Sequence, residues 1–482
     1  MKLQGHDGDY TNGGQGSVIF DAFDMSPTRQ GNDKDSDKGN GNSNGNGNGK
    51  GKGKEDGDFM PEFLSYNNLP QGLLNNPSQA VGVDLKAGKV LRGQKTPNLT
   101  GKKKATIRGL DDKPIKLDLA TAERINVYHP NQYTVSRDGS YVTENETGKE
   151  IQLNVFYASD HKNQFDVLYS LNEYGYLTDA RVSPKVSGDG PGRKDDVEME
   201  LHKNKGKIQN FQRLDNTNIL VGYMDEDVDM TNAPSLGDVD IPKEDSEMEE
   251  GEEGNTRRNR RRTQATSTAT RFGKTCTSWD WLDVRIATDK KFKDKYSDHT
   301  SKAQAVFAEA AEIYWKESCV WLYMWHYEST VGNPNWITPN GQHLDTRLSG
   351  STTHSGCNGY GVLDIFGETA RANQPNVYRD AWHLFSGANF SGNTIGCAAL
   401  NVCKSVSSGY GVNQITFSTS LRLQAVLFAH ELGHNLGLSH LSSTPGNWVM
   451  EPSINFAPWD LTNNNAKNVR NKVVESSACG WY

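Results

Sequence analysis

The stretch that decides the fold is His430-Glu-Leu-Gly-His434-Asn-Leu-Gly437-Leu-Ser-His440. The run before it, Ser420 to Gly437, reads as a helix. Leu423, Val426, Leu427, His430 and His434 recur at helical spacing and share one face. Ser418, Thr419 and Ser420 are candidate N-caps. His430 and His434 stand one turn apart, so both imidazoles can reach one metal ion. A zinc ion (Zn2+) takes nitrogen ligands at about 2.0–2.1 Å in a tetrahedron, and a catalytic site leaves one position open. Glu431 is rotated by about 100° from His430 around the helix. That puts its carboxylate beside the open position, where it can move protons for an attacking water.

A third ligand three residues after Gly437 would point away if the helix continued. Glycine takes positive φ at little cost, so Gly437 can end the helix and turn His440 back as the third ligand. Met450, in Asn447-Trp-Val-Met-Glu-Pro452, is placed for a turn beneath the three histidines. Three histidines on one short segment fit a buried core poorly, because unpaired buried imidazoles are costly.

This pattern, HExxHxxGxxH and then a methionine turn, resembles the metzincin signature. Upstream, Asp380-Ala-Trp-His-Leu-Phe-Ser-Gly387, Gly396-Cys-Ala-Ala-Leu-Asn-Val-Cys403 and Tyr410-Gly-Val-Asn413 look like the reprolysin (adamalysin, ADAM-type) branch. The resemblance covers about residues 277–482. It implies an α/β domain: a twisted mixed sheet above a cleft, the zinc helix below it, and a small C-terminal subdomain. It implies Thr394, Ile395, Gly396 and Ala398 as an edge strand to which a substrate peptide adds; ordinary sheet packing is the other reading of that strand. It also implies a Cys403–Cys479 disulfide. The branch usually carries Asp after the third histidine, where this chain has Leu441, so the subfamily is less defined than the superfamily.

The chain has 482 residues, room for two domains with linkers, and only 34% hydrophobic residues beside 48 glycines. The net charge of −8 is unevenly spread and points to no partner; nucleic acid is not expected as one. No apolar run is long enough for a membrane span. The first thirty residues lack the apolar core of a signal peptide. All six cysteines, Cys276, Cys319, Cys357, Cys397, Cys403 and Cys479, fall in or beside the region of resemblance. An even number so confined reads as disulfides and an oxidising, extracellular compartment; six free thiols are the alternative. Cys276, Cys319, Cys357 and Cys397 allow three pairings, among which sequence does not choose.

Residues 1–60 are polar and glycine-rich and are expected to be a disordered tail. Asp33, Asp35 and Asp37 hint at a calcium loop, but the glycine is one place late and no glutamate closes it. Residues 61–224 show short alternating runs, such as Ile151-Gln-Leu-Asn-Val-Phe-Tyr157 and Ile219-Leu-Val-Gly-Tyr223, between turn-forming clusters. They read as a β-rich, propeptide-like domain that blocks the cleft. It has no cysteine, so any inhibition must come from steric cover or another ligand. Asn98, Asn145 and Asn389 head glycosylation sequons. Residues 225–262 read as a linker, acidic and then basic. Arg258, Arg260, Arg261 and Arg262 match the consensus of furin-like processing proteases; a nuclear signal or nucleic-acid patch is the alternative.

Residues 263–482 are the expected catalytic domain. Trp279 to Asp289 reads as a first strand and Thr300 to Ser318 as an amphipathic helix burying Ala303, Val306, Phe307, Ala310 and Ile313. Cys319 to Trp325 reads as a buried strand, Leu363 to Ala372 as a helix and Thr462 to Ser476 as a closing helix. The chain ends at Tyr482, so no disintegrin-like or anchoring module is expected to follow. The expected function is a zinc metalloendopeptidase with protein or peptide substrates, made as a precursor and cut near residues 261–262. Two other readings stand beside it: a binding protein with a structural zinc, and an intracellular protease with a nuclear signal at 257–262.

Overall fold

The structure is a computed structural model. It describes residues 81–87, 89, 91–160, 165–184, 208–214, 217–231, 234, 268–349, 355, 357, 360–373, 380–392, 394–399, 409–441, 448–454, 468, 469 and 471. The expected tail, the arginine cluster, Cys403, Cys479 and nearly all of the expected closing helix lie outside the described residues.

The C-terminal unit is built on a five-stranded mixed sheet. Its strands are β1 (Asp280–Thr288), β2 (Val320–Ser329), β3 (Ala381–Ser386), β4 (Gly396–Ala398) and β5 (Tyr410–Gln414). They lie in the order β2-β1-β3-β5-β4, all neighbours parallel except β4 with β5. β1 and β3 are buried along nearly their whole length, as central parallel strands covered on both faces are. The helices are α1 (Lys290–Lys295), α2 (His299–Ser318), α3 (Leu344–Ser349), α4 (Val362–Asn373) and α5 (Leu421–Asn435). α2 and α5 begin on side-chain caps, Asp298 to the Ser301 N–H and Ser420 to the Leu423 N–H. α2 ends at Cys319 in the left-handed region, φ 54°. Two disulfides staple this unit: Cys276–Cys319 joins the chain before β1 to the start of β2, and Cys357–Cys397 ties the segment before α4 to β4.

The N-terminal unit is dominated by a seven-stranded antiparallel sheet. Its order is Arg92–Lys95, Ile219–Met224, Gln209–Arg213, Leu177–Pro184, Phe165–Leu171, Val155–Asp160, Glu123–Arg124. One apolar cluster runs through both units, from Val127, Tyr128, Leu168 and Tyr223 to Val306, Phe307, Ile313 and Phe428. α2 therefore departs from the one-faced helix expected. Ala305, Ala308, Glu309, Ala311, Glu312 and Trp315 are buried together with the five predicted positions, because the N-terminal unit covers the face that would otherwise meet water.

The expected linker also begins later than Asp225. Asp225–Asp227 form a 3-10 turn, Asp225 is buried, and the Asp229 N–H donates to the Asp84 carbonyl at 2.7 Å. Asp225, the first residue of the acidic run, has a partner in the Asn210 amide. Burial pushes its pKa up to about 7, against the opposing pull of Asn210, Arg422 and Arg181. The folded chain then holds this proton over a range where the unfolded chain has lost it, so Asp225 lowers stability progressively as pH rises from about 4 to 7. Asp225→Asn is expected to melt about 3 °C above the parent at pH 8 and level with it near pH 4. Thermal denaturation at the two pH values measures this, and an equal shift at both would exclude the titration.

Candidate metal centre

α5 runs beneath the sheet and carries the first two histidines. The Tyr314 hydroxyl of α2 donates to the Ala429 carbonyl at 2.8 Å, holding the helix beside His430. Gly437 has φ +81°, as its expected role requires. The Gly437 N–H bonds the His434 carbonyl and the Leu438 N–H bonds the Gly433 carbonyl, at 2.8 and 3.0 Å. This is a left-handed helix stop, and it returns His440 to the other two rings. The chain then passes to Met450, which is fully buried, and the Leu441 N–H donates to the Met450 carbonyl at 3.0 Å. A Cβ on Gly433 would lie 2.5 Å from the Met450 sulfur, so glycine there lets the methionine close under the helix.

The three rings meet through their Nε2 atoms: His430 to His434 at 2.9 Å and His430 to His440 at 3.0 Å. Their other nitrogens face carbonyls, His430 Nδ1 to Val449 at 2.6 Å and His434 Nδ1 to Leu438 at 2.8 Å. A carbonyl only accepts, so each of these Nδ1 atoms carries the proton and each Nε2 presents a lone pair. Two facing lone pairs at that distance repel, and no hydrogen bond joins them. A cation between the rings removes the conflict. Ligands 2.0–2.1 Å from a tetrahedral ion stand about 3.3 Å apart, close to the spacing here. A proton is a poor substitute: burial first, then the His434 and His440 rings, hold the His430 pKa well below the ordinary histidine range. The three-nitrogen set therefore fits a zinc ion. Among the described residues it is the one cluster of histidine, cysteine and carboxylate groups close enough to share a metal.

Glu431 is fully buried below β4. A Cβ on Gly396 would lie 2.3 Å from Glu431 Oε1 and 2.6 Å from Leu427 Cδ1. The glycine thus leaves the space the carboxylate uses. β4 pairs antiparallel with β5, Gly396 opposite Asn413 and Ala398 opposite Gly411. Thr394 and Ile395 precede it, and the Gln414 N–H donates to the Ile395 carbonyl at 2.8 Å. β4 ends the sheet, so its outer row of backbone groups faces away from β5. Gly396→Ala is expected to push Glu431 aside and lower turnover by about 100-fold without loss of metal. Parallel measurement of kcat and zinc content checks this; unchanged kcat would mean that the carboxylate has room elsewhere.

A buried network that the sequence did not disclose sits behind the zinc helix. The neutral His383 of β3 accepts from Asn413 Nδ2 at 3.1 Å and donates from Nε2 to Asn435 Oδ1 at 2.9 Å. Burial pushes its pKa down to about 3, against the opposing bond from Asn435. Asn435 in turn donates to the carbonyls of Ala399 and Tyr410 at 2.7 and 3.1 Å. The residue after the second histidine therefore fixes α5 to the start of β5 and to the residue that follows β4. The available signal was an asparagine directly after the second histidine, at the last position of the helix.

Residues 280–477 match the family model Reprolysin_5, metallo-peptidase family M12. This region is a reprolysin-type domain of family M12. The reprolysin domain has relatives among curated proteins. Disintegrin and metalloproteinase domain-containing protein 15 of Homo sapiens is 40% identical over 97 residues, 17% of this chain and 11% of the relative. Zinc metalloproteinase-disintegrin-like brevilysin H2a of Gloydius brevicauda is 38% identical over 95 residues, 18% of this chain and 22% of the relative. Zinc metalloproteinase-disintegrin-like atragin of Naja atra is 34% identical over 81 residues, 16% of this chain and 13% of the relative. The chain thus spans less than a quarter of the length of these relatives.

Proposed function

We propose that the reprolysin domain is a zinc-dependent endopeptidase acting on protein or peptide chains. The observation that carries this reading is the convergence of three imidazole nitrogens, those of the buried His430 and His434 and the half-buried His440, beside the buried Glu431 carboxylate, under the last strand of the sheet. His430, His434 and His440 would hold the ion, which when bound polarises the scissile carbonyl and acidifies water. Glu431 takes the proton from the attacking water and returns it to the leaving amine. Met450 and Gly437 hold the geometry from below. Thr394 to Ala398 receive the substrate backbone as an added antiparallel strand, which selects extended peptides. The Cys357–Cys397 bridge keeps that strand in place and supports an oxidising, extracellular location. No helix among the described residues is long and apolar enough to cross a membrane.

In the same reading the chain is a precursor, cut among Arg258, Arg260, Arg261 and Arg262 by a furin-like protease that reads paired arginines. The chain enters that segment beside the site: the Pro234 carbonyl accepts from the Ile454 N–H at 3.1 Å, four residues past Met450.

Incubation of the protein with denatured casein, before and after a cut at the arginines, tests the function. Cleavage that stops with a zinc chelator and returns with added zinc is the expected result. One bound zinc per chain and no cleavage of any peptide in a broad substrate library would overturn it in favour of a structural metal.

A further inference from the structure

The N-terminal unit holds the reprolysin domain in three places. At the sheet edge, the Met324 N–H of β2 donates to the Val127 carbonyl at 2.6 Å, and the His129 N–H donates to the Met324 carbonyl at 3.2 Å. Residues around Tyr128 so continue the sheet by a parallel bridge. On α2, Arg181 of the N-terminal unit pairs with Glu309 at 2.6 Å and also with Glu312. Asn154 donates to Ser301 at 2.7 Å and Lys302 pairs with Asp179 at 3.3 Å. At the start of the zinc helix, Ser418 donates to the Gly82 carbonyl at 2.9 Å and Gln212 donates to Thr419 at 2.8 Å. The approach there is close: a Cβ on Gly82 would meet the Thr419 nitrogen at 2.5 Å.

These contacts have the character of a core. Glu309 and Glu312 are fully buried and Arg181 is 4% exposed. Apolar side chains of both units merge into one cluster, and the charged groups between the units are buried and paired. Interfaces of this kind resemble obligate ones, which do not dissociate into stable folded parts. Withdrawal of the unit would expose the second face of α2 and leave two buried carboxylates short of a cation. The sheet-edge contact also stands at the end of the sheet opposite the proposed peptide strand. The unit extends the β2 end of the sheet, whereas β4 ends the opposite side. Opening the cleft therefore does not require its departure.

We infer that residues 81–231 are a permanent subunit of the protease: after a cut within residues 257–262 the two fragments stay together as a non-covalent pair. This rests on the proposed processing of the linker, but not on catalysis. The test replaces Arg257 to Arg262 by the recognition sequence of a site-specific protease, in the full chain. After complete cutting, the sample is run on a sizing column in 1 M salt at neutral pH, and melted in a calorimeter. The expected result is co-elution of both fragments at the mass of the uncut chain and a single melting transition. Elution of a folded C-terminal fragment by itself, or two independent transitions, would overturn the inference. Each fragment is also refolded from denaturant alone and together. Native tryptophan fluorescence should return only in the mixture, and its return in the isolated C-terminal fragment would likewise overturn the inference. None of these readouts involves peptide cleavage, so failure of the casein assay would leave this result standing, and the reverse.

Discussion

Glu431→Gln is expected to lower kcat by about 1,000-fold or more while the protein keeps one zinc ion and its melting temperature. Removal of a general base or acid typically costs 10²–10⁴-fold, and here one group is asked to act twice, on the water and on the leaving amine. A factor of about 1,000 corresponds to about 4 kcal/mol of lost transition-state stabilisation. The amide is nearly isosteric, so it fills the same space beneath Gly396 and beside Leu427, and packing should not change. It lies outside the ring of Nε2 atoms, so metal content should not change either. His434→Ala is the contrasting variant, which should lose metal and activity together. Metal analysis, melting curves and steady-state kinetics on the same preparations separate the two cases. Near-normal turnover in Glu431→Gln would remove the residue from the proton path.

The site was legible in the sequence to the extent that it is local. His430, Glu431 and His434 are set by one turn of helix, and Gly437 by a backbone angle that glycine adopts at least cost. Such constraints act over a few residues and leave a fixed spacing in the chain. Two of the β-strands around them were legible as well: the expected Trp279 to Asp289 became β1 with one residue trimmed at each end, and the expected Cys319 to Trp325 became β2, which starts at Val320 and runs on to Ser329. What could not be read were partners far apart in sequence. Gly396 makes room for Glu431 from 35 residues upstream of it, and His383 reaches Asn435 across 52 positions. The pairing Cys276–Cys319 with Cys357–Cys397 was one of three possibilities until the strands were in place. The largest difference was α2. Its apolar stripe is visible as one face, but alanines and glutamates on the remaining faces read as solvent-exposed until a second sheet is laid over them.

Removal of Arg181 should be the most destabilising single change in the N-terminal unit. Arg181 and Arg422 share Glu309, and Glu312 is held by Arg181 and Lys316, the last at 2.7 Å. Glu309, Glu312 and Arg422 are at most 1% exposed, so no water can replace a lost partner. Breaking a buried pair by deleting one member costs about 3–5 kcal/mol, far above the value of a surface ion pair. Arg181→Met keeps most of the apolar stem, so the loss should come from charge and not from a cavity. A fall of about 10 °C in melting temperature is expected, since 1 kcal/mol shifts a domain of this size by about 2–4 °C. Deleting one carboxylate as well tests the cause. Arg181→Met with Glu312→Leu leaves the Arg422–Glu309 pair intact. Lys316, 14% exposed, can turn to solvent. Buried charge is again balanced, and more than half of the lost stability should return. If the double variant were less stable than Arg181→Met alone, the arginine would be acting through packing. If the single variant melted within about 3 °C of the parent, less than about 1.5 kcal/mol would be at stake, and the buried ion pairs would not be what fastens the two units together.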